Sequence, residues 1–332
     1  MKSLGRDPSA ARIARNLRVL YAPGPLPARL HGVPVAGTSE TPRGRTGVSL
    51  SRRTLALLGT VLFVLTAATY GVSSWLQETW QRDRGLDRVL AAGLVTDLDL
   101  VQTVGDVRVR LQRAYADANR IALGVTVDAP SLRGRVTVDP RSVELRDDAG
   151  TLLEPEAGHG YGDAATPFGA SVLTFDAAPL EGRAGQHAFV FTIQRIAGSD
   201  GSASGPWVFR FSLDVHAGHV AVVDTTLSGV FVHARVIATV GETRVVVDAH
   251  DTGGRAFAVR GARLIRDGTP YAAGRGRCLA DGTCPLFVFS EPAFDAARSW
   301  GLALEGIAPA DGTPASEHVD GVWVLPLAFR PG

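Results

Sequence analysis

Lysine is nearly missing from this chain: Lys2 stands alone among 34 basic residues, which 33 acidic ones balance to a net charge of +1. The arginine excess reflects composition rather than a nucleic-acid footprint, because no basic stripe carries interleaved aromatic residues, and nucleic acid is not an expected partner. Cysteine is scarce too, with two in 332 residues. Cys278 and Cys284 have no nearby histidine and supply too few ligands for zinc. There is no nucleophile elbow, phosphate loop, dinucleotide fingerprint or zinc-protease motif. Acidic residues fall mostly in turns such as Arg146–Gly150 (RDDAG) and Arg266–Gly268 (RDG), where carboxylates bond the local backbone. No catalytic residue, metal or cofactor is expected, and the chain reads as a non-enzyme.

What is abundant points to β-structure. The 38 glycines and 19 prolines favour many turns over long helices, and 45% hydrophobic residues over this length suffice for about two domains. One stretch stands apart. Thr54 to Leu76 (TLALLGTVLFVLTAATYGVSSWL) has no charged side chain. Roughly 20 apolar residues in a helix cross a hydrocarbon core of about 30 Å. Tyr70, Trp75 and Trp80 lie toward its C-terminal end, where an aromatic belt would meet the headgroups. Lys2, Arg6, Arg12, Arg15, Arg18, Arg29, Arg43, Arg45, Arg52 and Arg53 precede the run against only Asp7 and Glu40, so the positive-inside rule keeps the N-terminus cytoplasmic. The run is long for a secretory signal and begins some fifty residues in, so an uncleaved signal anchor is expected over 54–76, with the plasma membrane as location.

The tail before the span, residues 1–53, opens with Asp7 as N-cap and Pro8 at the first helical position, and Ile13, Leu17 and Leu20 follow at helical spacing. Arg12, Arg15 and Arg18 cover the remaining surface. Such a basic amphipathic helix over Pro8–Leu20 suits either anionic lipid or a cytoplasmic protein partner. The Pro- and Gly-rich stretch beyond it reads as a flexible linker. After the span, 77–94 reads as a helical juxtamembrane stalk with Leu86, Val89, Leu90 and Leu94 on one face.

Beyond the stalk the sequence repeats. Gly105–Ala129 and Ser228–Ala249 both alternate apolar and polar residues, break at a turn (Ala116 to Asn119, Val240 to Glu242) and alternate again, the pattern of a β-hairpin. Four more blocks match in the same order: those near 142 and 262, 171 and 285, 187 and 298, and 206 and 322, the last pair carrying Trp207 and Trp323. The expectation is an all-β ectodomain of two tandem immunoglobulin-like β-sandwich domains, 95–216 and 217–332, without the immunoglobulin cysteine spacing.

Two features could carry more. Cys278 and Cys284, separated by five residues with an Asp281-Gly282 turn, are expected to form a disulfide in an oxidising external compartment. The stretch Gly158–Gly169 brings His159, Tyr161 and Asp163 together on an expected flexible loop, the best place for a ligand-binding site, with a plain glycine-rich connection as the alternative. His216 and His219 lack an obvious third ligand and read as solvated linker residues.

The first hairpin (VRVRLQRAYADANRIALGVTVDAP), the RDDAGTLL that follows and the closing PWVFRFSLDV resemble bacterial single-pass membrane proteins whose ectodomain is the uncharacterised family 4179. The resemblance implies association with extracytoplasmic-function sigma factors. The cytoplasmic zinc module found in that family would need cysteines, and the tail has none. The functional expectation is a membrane-anchored extracytoplasmic binding or sensing protein, with the lipid bilayer, an envelope ligand or protein, and a cytoplasmic regulator at the tail helix as partners. A structural or adhesion role without signalling is the alternative, followed by an envelope enzyme.

Overall fold

The computed structural model describes residues 75–162, 167–277, 285–293, 295, 298–310 and 319–331. The tail helix, the linker, residues 54–74 of the expected span, Asp163, Cys278 and Cys284 lie outside the described residues.

The described chain is all-β apart from its start, and the strands form two sheets. The first comprises β1 (Thr96–Val104), β2 (Val107–Asp117), β3 (Arg120–Asp128), β4 (Thr137–Val138), β5 (Val143–Arg146), β6 (Leu152–Leu153), β7 (Pro155–Gly162), β8 (Phe168–Asp176), β9 (Gly185–Ala197) and β10 (Ser202–His216). The second comprises β11 (His219–Leu227), β12 (Val230–Ala238), β13 (Thr243–Asp251), β14 (Ala256–Arg266), β15 (Thr269–Ala272), β16 (Arg275–Arg277), β17 (Leu286–Phe289), β18 (Trp300–Pro309), β19 (Val319–Leu327) and β20 (Arg330–Pro331). Alternation sets the faces: Val107, Val109 and Leu111 of β2 are buried, while Arg108 between them is exposed.

Each sheet folds on itself into two packed layers. In the first, β1-β2-β3-β8-β7 lies over β6-β5-β9-β10, and the layers join through a short parallel contact pairing Val215 with Ala116 and His216 with Asp117. Leu111, Leu123 and Phe175 from one layer meet Phe189, Phe191, Trp207 and Phe209 from the other. The Phe175 and Phe191 rings touch edge-on across the layers at 6.0 Å. In the second sheet, β11-β12-β13-β17-β16 faces β15-β14-β18-β19, the layers joining where Ala249 and His250 pair with Phe257 and Ala256. A separate core centres there on Val232, Val245, Leu264, Phe289, Leu302 and Leu304. The two sheets thus repeat one set of antiparallel pairings in one chain order.

The expected stalk is corrected by this structure. Residues 75–81 are helical, Asp83 caps a second helix α1 (Arg84–Ala91), and both lie on the outer face of β2-β3-β8. Leu76, Trp80, Leu86 and Val89 are fully buried there with Tyr115, Ala122, Ala170 and Val172. Burying four such side chains contributes several kcal/mol, at about 1.5–3 kcal/mol each, which a stalk in water would forgo. Gly124 provides the seat: a Cβ there would stand 3.2 Å from Leu76 and 3.3 Å from Trp80. Trp80 is therefore no headgroup anchor, and its indole Nε1 donates to the Leu86 carbonyl at 3.0 Å. Leu76, the expected last residue of the span, is likewise packed against protein. No helix among the described residues is long and apolar enough to cross a membrane.

Candidate functional site: a buried charged junction

The described residues that gather the most chemistry lie buried rather than in an open cleft. They lie where the β2–β3 turn of the first sheet meets the β12–β13 turn of the second, with α1 closing the third side. Arg120, first residue of β3, is completely buried. Its guanidinium donates to the Asp83 carboxylate at 2.8 Å and pairs with Glu242 at 3.3 Å. Glu242 in turn accepts from Arg244 Nε at 2.8 Å. The rest of the Arg244 fork crosses to the first sheet, to Asp176 at 2.9 Å and Glu156 at 2.7 Å. Three carboxylates surround the Arg244 guanidinium and two the Arg120 one, whose buried Nε makes no hydrogen bond.

Backbone groups are bound in as well. Asn119 Nδ2 donates to the carbonyls of Ile237 at 3.1 Å and Glu242 at 3.2 Å. From the helix side, Arg88 donates to the carbonyls of Val240 at 3.3 Å and Gly241 at 2.8 Å, and to that of Ser290. Asp117 organises the first turn, accepting from the Asn119 and Arg120 amides at 2.8 Å each and from the Tyr115 hydroxyl at 2.6 Å. The packing leaves no slack: a Cβ on Gly85 would lie 2.3 Å from both Arg120 Nη2 and the Gly241 carbonyl oxygen.

The electrostatics follow from this crowding. Burial opposes the charge on Arg120, yet Glu242 and Asp83 overcome it and raise its pKa above the ordinary value. Burial pushes the Asp83 carboxyl up, but the Arg120 charge and bonds from Arg120, Leu86 and Gly85 hold it below the usual carboxylate range. For Arg244 burial again opposes the charge, and Glu242, Glu156 and Asp176 raise its pKa. Burial, then the Asp117 charge and hydrogen bond, keep the Tyr115 phenol protonated well above its ordinary value. These contacts keep Arg120 and Arg244 charged, Asp83 ionised and Tyr115 protonated, and the cluster rivets α1 and the two sheets together.

The expected ligand loop takes another form. Gly158 to Gly162 belong to β7, where His159 pairs with Val172 and Tyr161 with Ala170. Asp163 lies outside the described residues. The glycines are explained by close approach of the 136–140 segment: a Cβ at Gly158 would lie 2.5 Å from Pro140 Cγ, and one at Gly169 2.0 Å from the Val136 carbonyl oxygen. His159 is exposed and borders an open groove of about 440 Å³ together with Arg135, Asp139 and Ser171. His216 is no solvated linker residue, since its ring stacks on Tyr115 at 5.7 Å. Among described strands, those flanking Cys278 and Cys284 pair Arg277 with Leu286.

Sequence reasoning placed both junction turns correctly and missed their role. The available signal was the pairing of ion-forming residues with them: Arg120 directly after one turn, Glu242 and Arg244 at the end of the other.

No protein-family model matches the chain, and no curated protein matches it. Among solved structures, a protein described as a conserved domain protein from Bacillus anthracis is similar, with a TM-score of 0.50 at 11% identity, covering 71% of this chain and 92% of that one. The likeness concerns the fold alone.

Proposed function

We propose that the protein is a single-pass membrane protein whose extracytoplasmic part, two tandem immunoglobulin-like sandwiches, binds or senses a partner in the cell envelope. The observation that carries this reading is the stretch Thr54–Ser74, which has no charged side chain and is preceded by ten basic residues against two acidic ones. About 21 residues at about 1.5 Å each still match the hydrocarbon thickness. The strand order supports the sandwich reading: β2-β3-β8-β7 over β6-β5-β9-β10 corresponds to strands A-B-E-D over C′-C-F-G, and β12-β13-β17-β16 over β15-β14-β18-β19 repeats it. In each copy one extra strand, β1 or β11, is added beside the A position.

Binding is favoured over catalysis because the charged groups of the junction are engaged in structural ion pairs and hydrogen bonds. Folds of this kind work through loops and exposed edges. The tail helix Pro8–Leu20 is the proposed seat of a cytoplasmic regulator, a sigma factor being the candidate that the family resemblance suggests. Protease treatment of intact cells tests the topology: the two sandwiches should be digested and the tail spared, and the reverse pattern overturns the proposal. A pull-down with the full-length protein in detergent then tests the tail, whose partner should be lost on Leu17→Asp.

A further inference from the structure

We propose that the helical segment 75–91 is a latch that fixes the angle between the two sandwiches, so that displacing it from the first sheet frees the second. The segment holds to the first sheet by apolar contact, through Leu76, Trp80, Leu86 and Val89. It holds to the junction by charge, through Asp83 on Arg120 and through Arg88 on the carbonyls of Val240, Gly241 and Ser290. The second sheet is thus gripped partly by groups that belong to neither sheet. Direct bonds between the sheets remain when the latch leaves, chiefly Asn119 to Ile237 and Glu242, Arg244 to Asp176 and Glu156, and Arg235 to Glu181. Those at Ile237 and Arg235 sit beside the chain crossing at Ala217-Gly218, and the set permits a swing rather than separation.

A charged grip and an apolar grip on one short segment make a coupled device. Withdrawing the apolar residues pulls Asp83 and Arg88 out together, leaving Arg120 with Glu242 as its only carboxylate on the second sheet. The membrane side of the latch is its N-terminal end at Trp75, and this part of the inference rests on the anchor proposed above. A ligand that tilts the sandwiches, or tension on the anchor, would act on the same contacts.

The test uses the full-length chain in detergent, with spin labels on non-canonical residues at the exposed positions 202, in β10, and 252, in the turn after β13, and pulsed dipolar spectroscopy of the distance between them. The native protein should give one narrow distribution. Arg88→Ala, which removes only the grip on the second sheet, and Trp80→Ala, which loosens the seat, should each at least double its width. Arg82→Ala, on the exposed side of the same segment, should leave it narrow. Hydrogen exchange of β9 and β18 reports whether each sheet is still folded. A broad native distribution overturns the proposal, as does a narrow one in Arg88→Ala with both sheets protected. Neither result depends on membrane topology, so failure of the latch and failure of the anchor reading are separable.

Discussion

Replacing Arg120 by alanine should be among the most damaging single changes in the protein. The side chain is fully buried, with Asp83 at 2.8 Å and Glu242 at 3.3 Å. Removing one partner of a buried ion pair costs about 3–5 kcal/mol, because the other charge is left uncompensated. Here each orphaned carboxylate keeps part of its support. Asp83 still accepts from the amides of Gly85 at 2.8 Å and Leu86 at 3.1 Å, and Glu242 still faces Arg244 at 2.8 Å. The expected loss therefore lies at the lower end, about 3 kcal/mol. Equilibrium urea unfolding, followed by the fluorescence of buried Trp80 and Trp207, should show the midpoint fall with the slope unchanged. A double cycle adds Asp83→Asn, which keeps a capping side chain while removing the charge. The two changes should couple by at least about 1 kcal/mol. A loss under about 1 kcal/mol for Arg120→Ala, or additivity in the cycle, would refute the view that these charges hold the junction.

Gly85→Ala should destabilise by about 1–3 kcal/mol through overpacking against Arg120 and Gly241, although the same change on a free helix surface would stabilise; thermal melts decide the sign. Tyr115→Phe should lose about 1.5–3 kcal/mol with the bond to Asp117. Because the folded phenol titrates above its unfolded value of 10.0, its contribution is complete below that pH and is lost as pH rises further, so urea midpoints of the native protein should drop above about pH 10 and those of the phenylalanine variant should drop less. Asp83 runs the other way: its folded carboxyl titrates below 3.8, so its contribution is present above that pH and disappears as pH falls through the folded value, and the deficit of Asp83→Asn should vanish at strongly acidic pH. Non-reducing peptide mapping should find Cys278 linked to Cys284; free thiols in freshly isolated protein would overturn that expectation.

Strands were legible because period-two alternation survives wherever one face is buried, and Val107-Val109-Leu111 reads as β without any help from its neighbours. Pairing partners could be inferred only by matching blocks, and the match was shifted in one place. The turns align Val107 with Val230, which sets Val127 opposite Val109 in the same relation as Ala249 to Val232, whereas the similar letters of the two hairpins align Val127 with Val247. The junction was illegible because Asn119, Arg120 and Glu242 have the composition of a solvated turn, and nothing local says that another turn lies against them. Trp80 was misread for a related reason: an indole with one polar edge suits a headgroup region as well as a buried site with a carbonyl nearby. Gly158 and Gly160 suggested a loop because glycine is poor in strands, but here its missing Cβ admits a crossing segment.

The two sheets share their pairings and differ in what covers them, and the reason lies in a few side chains. On the outer face of β2-β3-β8 the positions beneath the helical segment are small, Ala122, Gly124 and Ala170, so Leu76 and Trp80 descend to the backbone. On the outer face of β11-β12-β13 in the second sheet stand Val222, Phe231 and Val246, which remain 51%, 37% and 43% exposed, with His233 bonded to Asp224 at 2.7 Å among them. A helix laid there would ride on side chains several ångströms from the backbone, over a polar pair it would have to desolvate. The latch consequently has one seat, on the sandwich closest in sequence to Trp75. Among the described residues it reaches the other sandwich through Arg88 and through the packing of Val240 against its apolar cluster. If that division is correct, small residues introduced into the second face by Phe231→Ala and Val246→Gly should leave the junction unchanged, whereas Gly124→Leu in the first face should release the segment, with Trp80 fluorescence shifting to the red as its ring meets water.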